Sequence, residues 1–181
     1  CDWLKILLEA NGVPAAKIAV HRCGRTLDPV TVPFQAGPVV RFGYLGRFTV
    51  EKGIRILLDA VRRIPAECRF QLEFCSPEFA LPCSELAAEI RRCAASDSRL
   101  VIGGNVKPAA VAKKIAEWDA LLVPSLWMET GPQVVTEAFC ARTPVIASRR
   151  GGILELVENG VGGVLLPPGD AAAWAECLQS V

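Results

Sequence analysis

Two glutamates, Glu129 and Glu137, flank the segment Thr130-Gly131-Pro132-Gln133-Val134-Val135-Thr136. A carboxylate is a good acceptor for vicinal hydroxyls. Their setting suggests what they could grip. The strand-like run Ala120–Val123 ends at Pro124, and a helix is expected over Gly131–Ala141 with Pro132 in its first turn, where a missing N–H costs nothing. The N–H groups of Gln133, Val134 and Val135 would then face the loop, where the helix dipole favours an anion. Glu129 would lie before that anion site and Glu137 inside the helix. One carboxylate could meet a sugar on one side of a phosphate, the other a ribose on the far side. Read alone, the pair is more simply a solvated loop acid and an ordinary helical acid.

A second loop, Gly46-Arg47-Phe48-Thr49-Val50-Glu51-Lys52-Gly53, follows the strand-like run Val39–Leu45. Its glycines allow close backbone approach to a ligand. Arg47 offers a planar fork and Lys52 a point charge, and together they could neutralise a diphosphate leaving group without a metal. The competing reading is a solvated basic pair on a surface turn. A third loop, Gly103-Gly104-Asn105-Val106-Lys107, offers backbone groups to a base edge, although a Gly-Gly turn is common.

These loops need a frame that brings them together. Strand signals fall at Val39–Leu45, Arg69–Phe74, Leu100–Ile102, Ala120–Val123, Val145–Ala147 and Val164–Leu166. Helix signals alternate with them: Glu51–Ile64 (Ile54, Leu57, Leu58 and Val61 inward), Ser84–Ala94, Pro108–Ala116, Gly131–Ala141, Ile153–Val157, and Ala171–Leu178 capped by Asp170. The strands are continuous apolar runs, as expected when helices cover both faces. The fold class is therefore α/β: a doubly wound, mostly parallel, six-stranded Rossmann-like sheet. Such sheets bind ligands beyond the carboxyl ends of their strands, where all three loops lie. Ahead of the sheet, residues 1–38 are expected to hold a helix over Asp2–Ala10 capped by Asp2, a short strand over Lys17–Val20, and a connector. Residues 39–181 would form the ligand-binding domain.

Composition removes several classes. A net charge of +1 gives no general polyanion surface, so nucleic acid is not an expected partner. No apolar run approaches the roughly 20 residues needed to cross a bilayer, and no leader peptide is visible. The chain starts at Cys1 with Met128 as its single methionine, which reads as a piece of a longer protein. Eight cysteines without a C-x-x-C, and His21 as the single histidine, give no zinc pattern. Free thiols in a reducing cytoplasm are expected. There is no G-x-G-x-x-G and no Walker loop.

Beyond Glu137 the chain continues through Ala141-Arg142-Thr143-Pro144-Val145-Ile146-Ala147-Ser148, Gly151-Gly152-Ile153-Leu154-Glu155 and Asn159-Gly160-Val161-Gly162-Gly163-Val164-Leu165-Leu166-Pro167-Pro168-Gly169-Asp170. With Gly46-Arg47, Lys52-Gly53 and the E-x7-E of Glu129 and Glu137, these ordered blocks resemble the C-terminal, donor-binding domain of family 4 glycosyltransferases, which have the two-domain GT-B fold. The match runs from about Val39 onward.

The resemblance implies that Glu137 binds ribose hydroxyls. It implies that Glu129, the candidate catalytic carboxylate, holds the donor sugar with backbone of Gly131, Pro132, Gln133, Val134 and Val135. Gly46, Arg47 and Lys52 would hold the diphosphate, and Val106 would meet the base through its backbone. It further implies retaining transfer from a nucleotide-diphosphate sugar without a metal or other cofactor. The partner would be a glycan or lipid-linked acceptor held by an N-terminal domain absent from this chain, with peripheral membrane association of the full enzyme and a role in polysaccharide assembly. Isolated, the chain is expected to bind donor and show little transfer. The family's Asn-Gly-Val-Asp-like turn is replaced by His21-Arg22-Cys23-Gly24-Arg25, so His21 reads as a surface or packing residue. Glu155 and Asp170 read as helix and turn residues, and Trp3, Trp118 and Trp174 as core or rim. Two other readings stay open: a non-catalytic nucleotide-binding module, and a nucleotide-sugar epimerase of GT-B type.

Overall fold

A computed structural model describes residues 1–22, 37–81 and 84–180. Among these, strands β1 (Val40–Leu45), β2 (Phe70–Cys75), β3 (Leu100–Gly104), β4 (Ala120–Val123), β5 (Val145–Ser148) and β6 (Gly163–Leu166) form one sheet in the order β3-β2-β1-β4-β5-β6. Every pairing is parallel. Successive side chains of β4 go to opposite faces. Ala120 and Leu122 join a cluster with residues of the helices Ile54–Arg63 (α2), Glu85–Ser96 (α3) and Ala171–Ser180 (α6). Leu121 and Val123 join another with residues of Val111–Ile115 (α4) and Gln133–Cys140 (α5). This is why the strands read as unbroken apolar runs: both faces are covered.

The inward face expected for α2 is the buried one, with Ile54, Leu57, Leu58 and Val61 at most 1% exposed. Each such side chain contributes roughly 1.5–3 kcal/mol on burial, so α2 holds the turn that precedes it firmly. The expected caps of two other helices are also present. Ser84 Oγ accepts from Ala87 N–H, and Asp170 Oδ1 accepts from Ala172 and Ala173 N–H.

Four expectations are corrected. The segment Lys17–Val20 forms no strand: Ala15–Lys17 is a 3-10 turn, closed by Lys17 N–H to Pro14 O and Ile18 N–H to Ala15 O, and Ile18 is extended without a ladder partner among the described residues. Asp2 does not cap the N-terminal helix α1 (Asp2–Ala10) but sits inside its first turn. The helix expected from Glu51 is divided: Val50–Lys52 is a 3-10 turn, and Gly53 (φ +71°) separates it from α2. Likewise α5 starts at Gln133, because Gly131 (φ +150°) and the extended Pro132 lie outside it. The connector at residues 23–36 lies outside the described residues, as do Cys23 and Cys83. The cysteines described, Cys1, Cys68, Cys75, Cys93, Cys140 and Cys177, are free thiols. No helix among the described residues is long and apolar enough to cross a membrane.

Candidate functional site

Strand order reverses between β1 and β4, with β2 and β3 to one side and β5 and β6 to the other. The loops after β1 and β4 diverge there and leave a crevice at their carboxyl ends, the usual ligand position in such sheets. It is lined by Gly46, Lys52, Ser125, Pro132 and Val134, among others.

Across this crevice Lys52 Nζ meets Glu129 Oε1 at 2.6 Å, and Ser125 Oγ donates to the same oxygen at 2.8 Å. The two loops are also stitched through their backbones. Glu51 O accepts from Leu126 N–H at 2.7 Å, and Ser125 Oγ lies 3.2 Å from it. Gly53 permits this approach, since a Cβ there would stand 1.9 Å from Pro124 O. The Lys52–Glu129 side chains keep 30% and 14% of their surface, so solvent screening limits the pair to about 1 kcal/mol or less. Its interest lies in position: the Lys52 ammonium lines the crevice, and the carboxylate it meets comes from the loop after β4. Glu129 Oε2 accepts no hydrogen bond among the described residues.

Arg47 is exposed and makes no hydrogen bond or ion pair among the described residues. Its backbone is fixed. Tyr44 Oη donates to Arg47 O at 2.7 Å, and Glu78 Oε2 accepts from Phe48 N–H at 3.1 Å, with Ser76 Oγ bonded to the same carboxylate. Burial, with the Glu78 and Glu129 charges, pushes the Tyr44 phenol far above its ordinary range, so it acts as a neutral donor at every working pH. The guanidinium thus stands exposed on a turn whose backbone is anchored.

The start of α5 differs in one respect from expectation. Val135 N–H is engaged, bonding Pro132 O at 3.1 Å, and the Val135 side chain is fully buried. The proline carbonyl doubles back as a cap, so Gln133 and Val134 carry the N–H groups left at the helix entry. Glu137 is 5% exposed on α5, a buried carboxylate on an otherwise apolar inner face. Val106 is half-buried beside the cluster around Ile115 and Trp118, while Gly103 and Gly104 belong to β3 and not to the loop. His21 is exposed.

Glu129 is also held through its main chain. Its carbonyl accepts from Gly152 N–H at 2.6 Å and from Trp3 Nε1 at 3.0 Å. Gly151 makes room, since a Cβ there would lie 2.8 Å from Glu129 backbone atoms. Ser125, Tyr44, Glu78, Trp3 and Glu155 were thus not singled out by the sequence as parts of the site. Ser125 was the most accessible to reasoning, being the first hydroxyl after β4. The others arrive from distant elements and leave no local signal.

Residues 40–181 match the family described as glycosyl transferases group 1. The chain belongs to this family. An amylovoran biosynthesis glycosyltransferase, AmsK of Erwinia amylovora, is 31% identical over 94% of this chain and 43% of its own length. Among solved structures, the lipopolysaccharide outer core galactosyltransferase WaaB superposes with a TM-score of 0.73 at 25% identity, over 97% of this chain and 49% of that one. Anabaena HepE, solved in complex with UDP and glucose, superposes with a TM-score of 0.65 at 26% identity, over 78% of this chain and 38% of that one. The group 1 glycosyltransferase chain described here thus spans less than half the length of these relatives, and its sheet is the Rossmann-like half of a GT-B fold.

Proposed function

We propose that this chain is the donor-binding half of a glycosyltransferase that takes a sugar from a nucleotide-diphosphate sugar and passes it, with retention, to an acceptor held by the rest of the protein. The observation that carries this reading is the Lys52–Glu129 pair bridging the β1 and β4 loops at the point where strand order reverses. A diphosphate brought there meets Lys52, the exposed Arg47 guanidinium, and the N–H groups of Gln133 and Val134. These donors stabilise charge as it develops on the leaving group, with little reorganisation. Lys52 also lets an anionic ligand approach the Glu129 carboxylate, whose repulsion would otherwise oppose it. Glu129 Oε2 then accepts from hydroxyls of the sugar. Glu137, through its place in the E-x7-E pattern, accepts from the ribose, and the backbone at Val106 faces the base. Gly46, Gly131 and Pro132 let the backbone come close. The complex of HepE with UDP and glucose supports this class of ligand. A cytoplasmic setting, peripheral membrane association and a polysaccharide or glycolipid acceptor follow from the same reading.

Calorimetric titration with uridine, guanosine and adenosine diphosphates tests it. One of them is expected to bind, and Lys52→Ala and Glu137→Ala to weaken that binding. The reading fails if none of the three binds. Alone, the chain is expected to bind donor without transferring sugar; joined to its N-terminal half it is expected to transfer. Binding without transfer in the full-length protein would leave only a nucleotide-binding module.

A further inference from the structure

Helix α1 lies against the 3-10 turn Gly151–Glu155, and the Glu155 side chain is central to the junction. Glu155 Oε2 accepts from Asp2 N–H at 2.9 Å, and Oε1 accepts from Trp3 N–H at 2.9 Å. First-turn N–H groups have no partner within their own helix, and a carboxylate at the positive end of the helix dipole is well placed. Arg22 closes the junction, reaching Asp2 at 3.1 Å and Glu155 at 3.0 Å. Clamped in this way, α1 sends the Trp3 indole back to the Glu129 carbonyl, which Gly152 N–H also meets. The contacts form a closed circuit: Glu129 to Gly152, along the turn to Glu155, into α1, and through Trp3 to Glu129 again.

We propose that Trp3 is a positioning residue for Glu129, and that α1, clamped by Glu155, sets the direction in which the Glu129 carboxylate meets the sugar. A carbonyl with two donors from separate elements holds its peptide plane, and with it the Cα from which the Glu129 side chain starts. Neither Arg47 nor Lys52 hydrogen-bonds α1 among the described residues, and Lys52 meets the clamp only through Glu129 Oε1, so the clamp acts first on the sugar end of the crevice. What Glu129 grips rests on the donor-site reading above; that Trp3 orients it does not.

The test is Trp3→Phe, which keeps an aromatic ring and removes the indole N–H, with Glu155→Gln as a second variant that weakens the clamp from its other end. Two measurements are made on each. Hydrogen exchange, without ligand, follows the Gly152 amide and residues 127–131. Exchange there is expected to quicken roughly fivefold, the size of one neutral hydrogen bond, while α2 and α6 stay as protected as in the parent. Calorimetry then compares UDP with UDP-glucose. The dissociation constant of UDP-glucose is expected to rise roughly threefold and that of UDP to stay within about twofold, on the same scale. Unchanged exchange in Trp3→Phe overturns the proposal. So does an equal loss of affinity for both ligands, which is the mark of a merely structural role. If the parent chain binds neither ligand, the guanosine or adenosine diphosphate that it does bind, with the matching nucleotide-glucose, takes their place; if none binds, the donor reading fails, and exchange alone decides whether Trp3 positions Glu129. Should Trp3→Phe not fold, Glu155→Gln is judged by the same two measurements.

Discussion

Two lysine–glutamate pairs of similar length, one at the reversal of strand order and one against β2, do different things. Lys52–Glu129 spans 2.6 Å and Lys114–Glu73 spans 2.8 Å, and the lysines are comparably exposed at 30% and 21%. Lys114 is saturated: it bonds Glu73 and Glu117 and lies over the Trp118 ring. Glu73 is also spent, with Oε1 on Lys114 and Oε2 accepting from Trp118 Nε1. That network pins α4 and the Trp118 segment to β2. Lys52 bonds one oxygen of Glu129, the other accepts no hydrogen bond among the described residues, and an exposed arginine shares the Lys52 loop. Ion-pair geometry alone would not tell these sites apart. What distinguishes them is the unused bonding capacity of one carboxylate and its place at the reversal of strand order.

The largest effect that could break this contrast is on ligand affinity. Lys52→Ala is expected to weaken nucleotide diphosphate binding roughly thirtyfold, since a charge-assisted hydrogen bond contributes about 2 kcal/mol. Its unfolding free energy should move by less than about 0.5 kcal/mol, as for an exposed pair. Titration calorimetry and urea unfolding on one preparation give both numbers, and a large loss of stability would make the two pairs alike. Glu73→Ala is expected to do the reverse. It removes an acceptor from Lys114 and from Trp118 Nε1 and should cost about 1.5 kcal/mol of stability by urea unfolding. Nucleotide affinity should stay within about twofold.

A smaller and opposite change is expected at the far end of α5. Arg142 adopts φ +59°, with Thr143 N–H on Ala138 O and Arg142 N–H on Phe139 O, a helix ending that favours glycine. Arg142→Gly should therefore stabilise the chain by about 0.5–1 kcal/mol, the left-handed penalty less glycine's entropy cost. Thermal unfolding reads this, and ligand affinity should not move.

The smallest effect concerns pH. Burial of Glu155 raises its carboxyl, but the Asp2 and Trp3 N–H donors, with Arg22, outweigh this and hold it below the usual range. A depressed carboxyl contributes its stability above the unfolded value and loses it as pH falls through the folded one. The clamp on α1 should therefore be complete at neutral pH and loosen below about pH 4, the ordinary carboxylate range. Trp3 fluorescence, corrected with Trp3→Phe, should report the loosening before the sheet unfolds. In Glu155→Gln the acid step should vanish.

Much of the fold was legible in the sequence because its driving force is local and periodic. Leu57, Leu58 and Val61 recur at helical spacing, and Ala120–Val123 reads as a strand buried on both faces; these patterns place β4 residue for residue and the end of α2 within one residue, while its start falls three residues later than expected. The failures are equally physical. Lys17–Val20 has strand character but no neighbour to pair with, and a strand is defined by its partner. Gly53 ended one helix and began another because a left-handed glycine admits Pro124 O, a contact from another loop. Val135 had its N–H assigned to a ligand, yet the carbonyl of Pro132 takes it, and composition cannot say which way a proline carbonyl turns.

The sequence by itself determined the doubly wound class and the loops that carry Arg47, Lys52, Glu129 and Glu137, since periodicity and turn residues set where strands end. Only the tertiary structure decided that Lys52 closes on one oxygen of Glu129 and that Trp3, on the helix Glu155 clamps, holds the Glu129 carbonyl from α1. Those facts depend on which strands become neighbours and where long side chains come to rest. Contacts across 77 and 126 residues of chain leave no spacing to read.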